Sequence, residues 1–200
     1  DEMIEIFSNG EFPTRQLNEN IADLLAQVAS LRQGMKEMKT LEMNYSTSSL
    51  QKQMENLRID SASNCECFLQ NWGKAFLNSV QYIDDGDQLM LQISITNSRA
   101  TFDFSGTSKS RKDNLNATEA ITQSAICYCL RLLINKDLPL NEGLLQPIRI
   151  IIPTGSILSP IFADKAQDCP GVAGGNVEIS QKLVDLILTA FGQVACSQGT

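Results

Sequence analysis

The spacing of the apolar residues changes period near Gly73, and this change limits the folds that the chain can adopt. Between Asn18 and about Thr40, apolar residues follow one another at intervals of three and four: Ile21, Leu24, Val28, Leu31, Met35 and Met38. This spacing is typical of a helix that packs along one face. In QLMLQISIT, residues 88–96, apolar residues instead occupy every second position, as in a β-strand. The chain is therefore predicted to have an α+β fold.

Residues 1–73 are predicted to form an N-terminal antiparallel helical hairpin. Asn18 or Asn20 can cap the first helix, and the Ser/Thr/Asn cluster at 44–49 ends it and supplies the next cap. The second helix carries a less regular apolar stripe: Leu50, Met54, Leu57, Cys65, Phe68, Leu69 and Trp72. We expect the two stripes to pack together. A peptide-binding groove formed by the methionine-bearing stripe is the alternative.

Residues 74–200 are predicted to form a three-stranded antiparallel meander followed by helix, strand and helix. DDGD at 84–87 separates the first two strands, and NSRA at 97–100 leads into the third, TFDFSG. A helix from about Ala117 to Leu133, an apolar strand IRIIIP at 148–153 and a last helix after Asn176 complete the order. We expect 1–73 and 74–200 to be regions of one continuous domain.

The lack of histidine restricts the chemistry of the chain. With no His in the sequence, Ser–His and Cys–His nucleophile pairs and histidine general bases are excluded within it. The six cysteines are spaced too unevenly for a disulfide framework. A zinc site is the weaker alternative, because Cys127 and Cys129 would point apart on one helix. We expect reduced thiols and assign no metal ligand.

The charge and hydropathy of the chain argue against nucleic acid and membrane partners. The net charge is −7, and a nucleic-acid surface needs clustered Lys and Arg. The densest basic segment, KSRK at 109–112, is followed by Asp113 and is predicted to be a solvated loop. The sequence shows neither an apolar stretch of membrane-spanning length nor a signal peptide, so we expect a cytoplasmic location.

Four ordered stretches resemble the hydantoinase B / 5-oxoprolinase family. They are DLLAQVASLRQG (23–34), FDFSGTSKSRKDNLNATEAITQSAICYCLR (102–131), GGNVEISQKLVDLIL (174–188) and ACSQGT (195–200). The resemblance extends from about Asn18 to Thr200. It implies ATP-dependent opening of a small cyclic amide such as 5-oxoproline or a hydantoin. ATP and Mg would be held by a hydantoinase A-like ATPase subunit or domain, which activates the amide by phosphorylation.

The resemblance also implies that the chain is a central fragment. Family members are longer, and their His/Asp-rich segment, the expected divalent-metal site, lies upstream of the part matched here. We therefore expect the isolated chain to be inactive, and we expect exposed apolar faces to cause self-association. Two other interpretations stay open: a non-catalytic interaction or structural module, and part of an acetone carboxylase-type carboxylase.

The first candidate site residues lie in DFSGTS and NLNA. Asp103 could be a general base or a supporting carboxylate, with Ser105 and Gly106 binding substrate in the turn that follows. The alternative is that these residues only form a turn. Asn114 and Asn116 precede a helix, so one is expected to cap it and the other to donate to a substrate carbonyl.

The second group lies in GGNVE and SQGT. The backbone N–H groups of Gly174, Gly175 and Asn176 could bind an amide or a tetrahedral oxyanion at a helix start, with Glu178 as a catalytic carboxylate. A phosphate is disfavoured by the acidic residues nearby. The alternative is a tight turn with Asn176 as the helix cap. Ser197 and Gln198 are assigned to the same pocket.

Overall fold

The computed structural model describes residues 2–9, 13–165 and 168–193. Two compact units are present, Asp1–Glu55 and Asn56–Thr200. The boundary between them lies inside a long helix, α3, which extends over Thr47–Asn71.

The described residues of the first unit form two helices and the beginning of α3. Helix α1 covers Glu2–Ser8 and α2 covers Leu17–Tyr45. The predicted break is confirmed, since Ser46 ends α2 with a positive φ of 62°. The predicted caps are wrong, because Asn18 and Asn20 lie inside the first turns of α2, and the Asn20 amide donates to the Thr14 hydroxyl instead.

The apolar stripe of α2 differs from the prediction. We expected it to be packed, but within Leu17–Tyr45, all of which is described, no residue is buried. Leu31 is 70% exposed and Met35 is 60% exposed. The stripe is therefore an apolar surface in this structure.

The second unit contains a four-stranded sheet in its described residues, in the order β1-β2-β3-β4. The strands are β1 Phe76–Tyr82, β2 Gln88–Thr96, β3 Arg99–Asp103 and β4 Ile148–Ile151. The predicted antiparallel meander of β1 to β3 is confirmed. The fourth strand, which the sequence pattern could not place, pairs parallel with β3, so that Asp103 faces Ile151. The α+β class is confirmed.

One face of the sheet carries the core of the second unit. Along β2, Leu89, Leu91 and Ile93 are buried, whereas alternate residues such as Gln92 and Ser94 are exposed. Helices α4, Glu119–Ile134, and α5, Glu178–Phe191, pack on each other, and α5 also contacts β1 and β2. Short 3-10 turns at Glu142–Leu145 and Ala173–Asn176 also lie in the described part of this unit.

Aromatic rings join the end of α3 to the end of α5. Phe191 is 1% exposed, and its ring centroid lies 4.9 Å from that of Trp72 in an edge-on contact. Phe68 and Phe102 lie 5.9 and 6.4 Å from the same ring. These contacts fix the C-terminal end of α5 against the sheet.

The described part of the chain shows neither a metal-binding cluster of His, Cys, Asp and Glu nor a helix apolar and long enough to cross a membrane. The thiols of Cys65, Cys127 and Cys129 are buried, while Cys67 is exposed.

Candidate functional site

Two loops leave the sheet at the carboxyl ends of neighbouring strands. The first loop, residues 104–118, follows β3 and leads into α4, while the second loop, residues 152–177, follows β4 and leads into α5. Residues 166 and 167 of the second loop are not described. Because β3 and β4 are parallel, their carboxyl ends lie side by side. In sheets with parallel strands, ligands bind preferentially beyond these ends.

Main-chain hydrogen bonds connect the two loops along their length. The N–H of Ser110 donates to the Gly155 carbonyl at 2.8 Å, and the N–H of Ala117 donates to the Ile157 carbonyl at 2.7 Å. Further along, the Gly174 N–H donates to the Asn114 carbonyl at 2.8 Å. The NLNA and GGNVE motifs are therefore direct neighbours, although Asn114 and Gly174 are 60 residues apart in the sequence.

The glycines of the second loop allow this close approach. A Cβ on Gly171 would lie 2.9 Å from Asn114 Cα, and one on Gly174 would lie 2.9 Å from the Asn114 carbonyl oxygen. A Cβ on Gly175 would lie 2.4 Å from the Asn116 carbonyl oxygen. None of these three glycines has a positive φ, so the need for glycine arises from backbone contact and not from a left-handed conformation.

Two of the backbone N–H groups that were predicted to bind an oxyanion are already hydrogen-bonded within the chain. The Gly174 N–H donates to Asn114, and the Gly175 N–H donates to the Val172 carbonyl at 3.1 Å. Asn176 ends a 3-10 turn and is exposed, and Val177 is the residue that precedes α5, without a side-chain cap. The alternative in which Asn176 caps α5 is therefore wrong.

Asn116 holds the two loops together through its side chain. The residue is 0% exposed, and its Oδ1 accepts a hydrogen bond from the Arg111 N–H at 2.7 Å. Its Nδ2 donates to the carbonyls of Arg111, Asp113 and Gly171, the last at 2.9 Å. Both amide hydrogens are thus engaged within the chain.

The predicted cap of α4 is also wrong. Thr118 precedes α4, with no side-chain cap among the described residues. Asn114 contributes its backbone carbonyl to the loop contact, and the residue is exposed. Of the two asparagines, Asn114 is exposed and Asn116 is buried.

Asp103 is the last residue of β3 and is half-buried. Its Oδ1 accepts a hydrogen bond from the Ser105 N–H at 2.8 Å, as in an Asx-type turn. Gly106 has a φ of 96°, a conformation that favours glycine. Its carbonyl accepts from Gln88 Nε2 at 3.0 Å, so the turn folds back onto the start of β2.

Arg111 was missed as an organising residue, because KSRK was predicted to be a solvated loop. Its side chain is only 14% exposed and its guanidinium binds three carboxylates. It donates to Asp85 at 2.5 Å, to Asp113 at 2.6 Å and to Asp87. The DDGD turn is thereby attached to the first loop. The acidic turn was a usable signal, since carboxylates close together favour a basic side chain nearby.

The arginine also changes the titration of its partners. Its hydrogen bonds lower the pKa of Asp85 and of Asp113 below the ordinary 3.8, and these carboxylates in turn raise the pKa of Arg111. An open cleft of about 630 Å³ lies beside this group. It is lined by Asp87, Ser108, Lys109, Ser110, Arg111, Lys112 and Asp113.

The remaining candidates flank the joined loops. Glu178 is the first residue of α5 and is half-buried, a position where the helix dipole favours a carboxylate. Asp103 thus precedes the first loop and Glu178 follows the second. Ser197 and Gln198 lie outside the described residues.

Known proteins resemble this chain in sequence and in fold. The profile of the family described as Hydantoinase B/oxoprolinase matches residues 1–200. The chain is 38% identical over 206 residues to 5-oxoprolinase 1 of Arabidopsis thaliana, covering 93% of this chain and 16% of that protein. It is 38% identical over 200 residues to 5-oxoprolinase of Saccharomyces cerevisiae, covering 95% of this chain and 15% of that protein.

A solved structure has the same fold. The ATP-dependent caprolactamase from Pseudomonas jessenii superposes with a TM-score of 0.74 at 17% identity, covering 97% of this chain and 33% of that chain. The chain thus spans about a sixth of the length of its 5-oxoprolinase relatives. With its whole length matched by the family profile, the chain belongs to the hydantoinase B/oxoprolinase family.

Proposed function

We propose that the chain forms the loop-bearing core of an ATP-dependent cyclic-amide hydrolase that opens 5-oxoproline or a hydantoin ring. Its family supports this proposal, as do the names of its relatives: 5-oxoprolinase and ATP-dependent caprolactamase both indicate cyclic amides. The observation that carries the proposal is the junction of the two loops, which brings NLNA against GGNVE beyond the parallel strands.

The chemistry suits carboxylates and amides. An amide carbonyl is a poor electrophile, and phosphorylation of its oxygen by ATP would make the ring carbon open to attack by water. Asp103 or Glu178 would take the proton from that water as general base. The tetrahedral intermediate would then break its C–N bond, with the proton passing to the ring nitrogen, and a second water would hydrolyse the resulting acyl phosphate to a carboxylate and inorganic phosphate. Asn114 would donate to the substrate carbonyl, and Ser105, Gly106 and Asn176 would line the binding site together with Ser197 and Gln198. Asn116 and Gly175 are buried and would act by holding the two loops in place around the site.

Other components complete the proposed enzyme. ATP and Mg would be held by a hydantoinase A-like ATPase subunit or domain, and a divalent metal by a segment outside these 200 residues. We propose that the isolated chain is inactive and that the enzyme is cytoplasmic. With a net charge of −7, neither nucleic acid nor an anionic membrane is a proposed partner.

Isolation of the native protein tests this function. An antibody raised against the chain would recover the native product, which is sized and then assayed with 5-oxoproline and a hydantoin, with and without ATP. We expect ring opening that requires ATP. Absence of ATP-dependent opening of either ring, with the ATPase component present, contradicts the proposal. A carboxylated product that requires bicarbonate would establish the carboxylase alternative instead.

The two asparagines provide a matched pair of variants in the native enzyme. Asn114→Ala is expected to lower kcat/KM about tenfold or more at unchanged Tm, because it removes a ligand contact but no internal side-chain bond described here. Asn116→Ala is expected to lower stability by about 1–3 kcal/mol, because it leaves buried backbone groups unpaired. An Asn114→Ala enzyme with full activity would remove Asn114 from the site.

The carboxylates are tested in the same assay. The test uses two variants, Asp103→Asn and Glu178→Gln. The one that replaces the general base is expected to lower kcat by about 10²–10⁴-fold. Full activity in both variants would show that neither carboxylate moves the proton.

A non-catalytic interaction module is the second candidate, favoured by the exposed apolar stripe of α2. A native product no larger than the 22.0 kDa chain would support it. Binding of the purified chain to a hydantoinase A-like component would favour the hydrolase.

A further inference from the structure

Helix α2 carries an unbroken heptad pattern. Its apolar residues are separated alternately by four and three positions over three heptads: Leu17, Ile21, Leu24, Val28, Leu31, Met35 and Met38. We call these seven residues the α2 seam. Such a seam is typical of a helix paired with another helix in a coiled coil. Helices that lack a packed partner are only marginally stable in water.

The central and C-terminal part of the α2 seam is open to solvent. Val28 is 44% exposed, Leu31 70%, Met35 60% and Met38 48%. Soluble proteins rarely leave a contiguous apolar surface of this kind unpaired, because its burial releases about 25 cal/mol for each Å². A partner surface with matching spacing would bury these side chains.

The α2 seam is complementary to itself in the antiparallel direction. In an antiparallel pair of helices, the first apolar position of one heptad faces the second apolar position of the other. A single register pairs Ile21 with Met38, Leu24 with Met35 and Val28 with Leu31 of a second copy. Each of these three layers joins a branched residue to a leucine or methionine, whereas Leu17 would face Glu42 at either end of the pair. The two copies contribute identical surfaces, as a twofold interface requires.

The charges of α2 favour the same direction. Its N-terminal half carries Glu19 and Asp23 without a basic residue, while its C-terminal half carries Arg32, Lys36 and Lys39 against Glu37 and Glu42. An antiparallel pair places the acidic half of one copy alongside the net basic half of the other. Because Glu19 and Asp23 lie outside the α2 seam, this attraction acts between the two halves as a whole and not through contacts within the interface. The antiparallel pair also opposes the two helix dipoles, whereas a parallel pair would align them.

We propose that a second copy of this chain covers the α2 seam, in an antiparallel two-helix interface centred between Val28 and Leu31. This interface uses only residues of α2. It is independent of the reaction proposed for the loops of the second unit.

Light scattering after gel filtration tests the interface in the 200-residue chain. The expected mass is twice the 22.0 kDa of the chain. Leu31→Glu places a charge in the α2 seam and is expected to give monomers at micromolar concentration. Ala29→Glu adds the same charge at an exposed position outside the α2 seam and is expected to remain dimeric, with circular dichroism showing that both variants fold.

A monodisperse monomer for the unaltered chain would overturn the proposal, as would a Leu31→Glu variant that remains dimeric. The first result would mean that another segment or protein covers the α2 seam. The second would place the dimer interface elsewhere on the chain.

Disulfide trapping tests the direction of the pair. In a Cys67→Ser, Cys169→Ser and Cys196→Ser background, which leaves only the buried native thiols of Cys65, Cys127 and Cys129, Ile21→Cys and Met38→Cys proteins are mixed and mildly oxidised. The antiparallel register brings these two positions together only in the mixture. In each protein alone the two cysteines would be separated by 17 residues, or about 25 Å of helix. Efficient crosslinking of either protein alone would show a parallel pair and contradict the proposal.

Discussion

At the residue scale, contacts between backbone atoms determine which glycines are required. Gly175 lies against the Asn116 carbonyl and against Ala117 Cα, which a Cβ would approach to 2.8 Å. Neither atom belongs to a flexible side chain, so the strain of a larger residue would have to be relieved by moving the loops apart.

We therefore expect Gly175→Ala to destabilise the chain by about 1–3 kcal/mol, measured by thermal unfolding. Gly34→Ala is the matched control, since no described atom lies within 4 Å of the added Cβ at this position in the middle of α2. There the alanine is expected to stabilise the helix by about 0.5–1 kcal/mol. An unchanged Tm for Gly175→Ala would show that the loops are not in contact.

The salt bridges of Arg111 predict a dependence of stability on pH. The pKa of Asp85 and of Asp113 is lowered on folding, so their contribution is complete above the unfolded value of 3.8 and is lost as pH falls through the lowered values. Arg111→Met is thus expected to reduce the urea midpoint by a constant amount between about pH 5 and pH 8. The difference in urea midpoint between Arg111→Met and the unaltered chain should shrink as the pH falls below 3.8, the ordinary pKa of an aspartate.

Arg99→Met, which removes a positive charge from an exposed position, serves as the control for net charge. Added salt should also reduce the effect of Arg111→Met, because exposed carboxylates are screened. A difference that persists unchanged at low pH would indicate that packing, and not charge, accounts for the loss.

At the element scale, α5 depends on the aromatic residue at its C-terminal end. Phe191→Ala is expected to destabilise the chain by about 3–5 kcal/mol, because the cavity would lie among the rings of Trp72, Phe68 and Phe102. Phe162→Ala removes the same atoms from a side chain that is 54% exposed, and its effect should be small. Denaturant unfolding followed by Trp72 fluorescence would measure both. Equal losses would argue against the packing of α5 described here.

At the scale of the whole molecule, the buried thiols report on global unfolding. Burial raises the pKa of Cys65 and of Cys129 to about 12, so their reactive thiolates are scarce at neutral pH. Cys67, only two residues from Cys65, is exposed. Alkylation followed by peptide mapping should show Cys67 modified first, with Cys65 and Cys129 modified only when urea unfolds the chain. Rapid native modification of Cys129 would contradict this packing.

The local pattern of the sequence determined the type and order of the elements. The three-to-four spacing of α2, the alternation in β2 and the turn at DDGD each depend on neighbouring residues, and each was predicted from them. Side-chain periodicity is a local property, since it follows from the geometry of a single helix or strand. The helix caps expected at Asn18 or Asn20, at Asn114 or Asn116 and, in the alternative interpretation, at Asn176 were wrong, because other partners or turn geometry placed the helix starts elsewhere.

Only the tertiary structure decided what depends on residues far apart in the chain. No local period states that β4 pairs parallel with β3, that Arg111 reaches Asp85, or that Gly175 lies against Asn116. The motifs of the candidate site could be selected from the sequence, but the contact between them could not be predicted. The main-chain hydrogen bond that joins them runs from Gly174 to Asn114, which lies 60 positions earlier in the chain. The glycines are needed at that contact because the backbones there are too close for a Cβ.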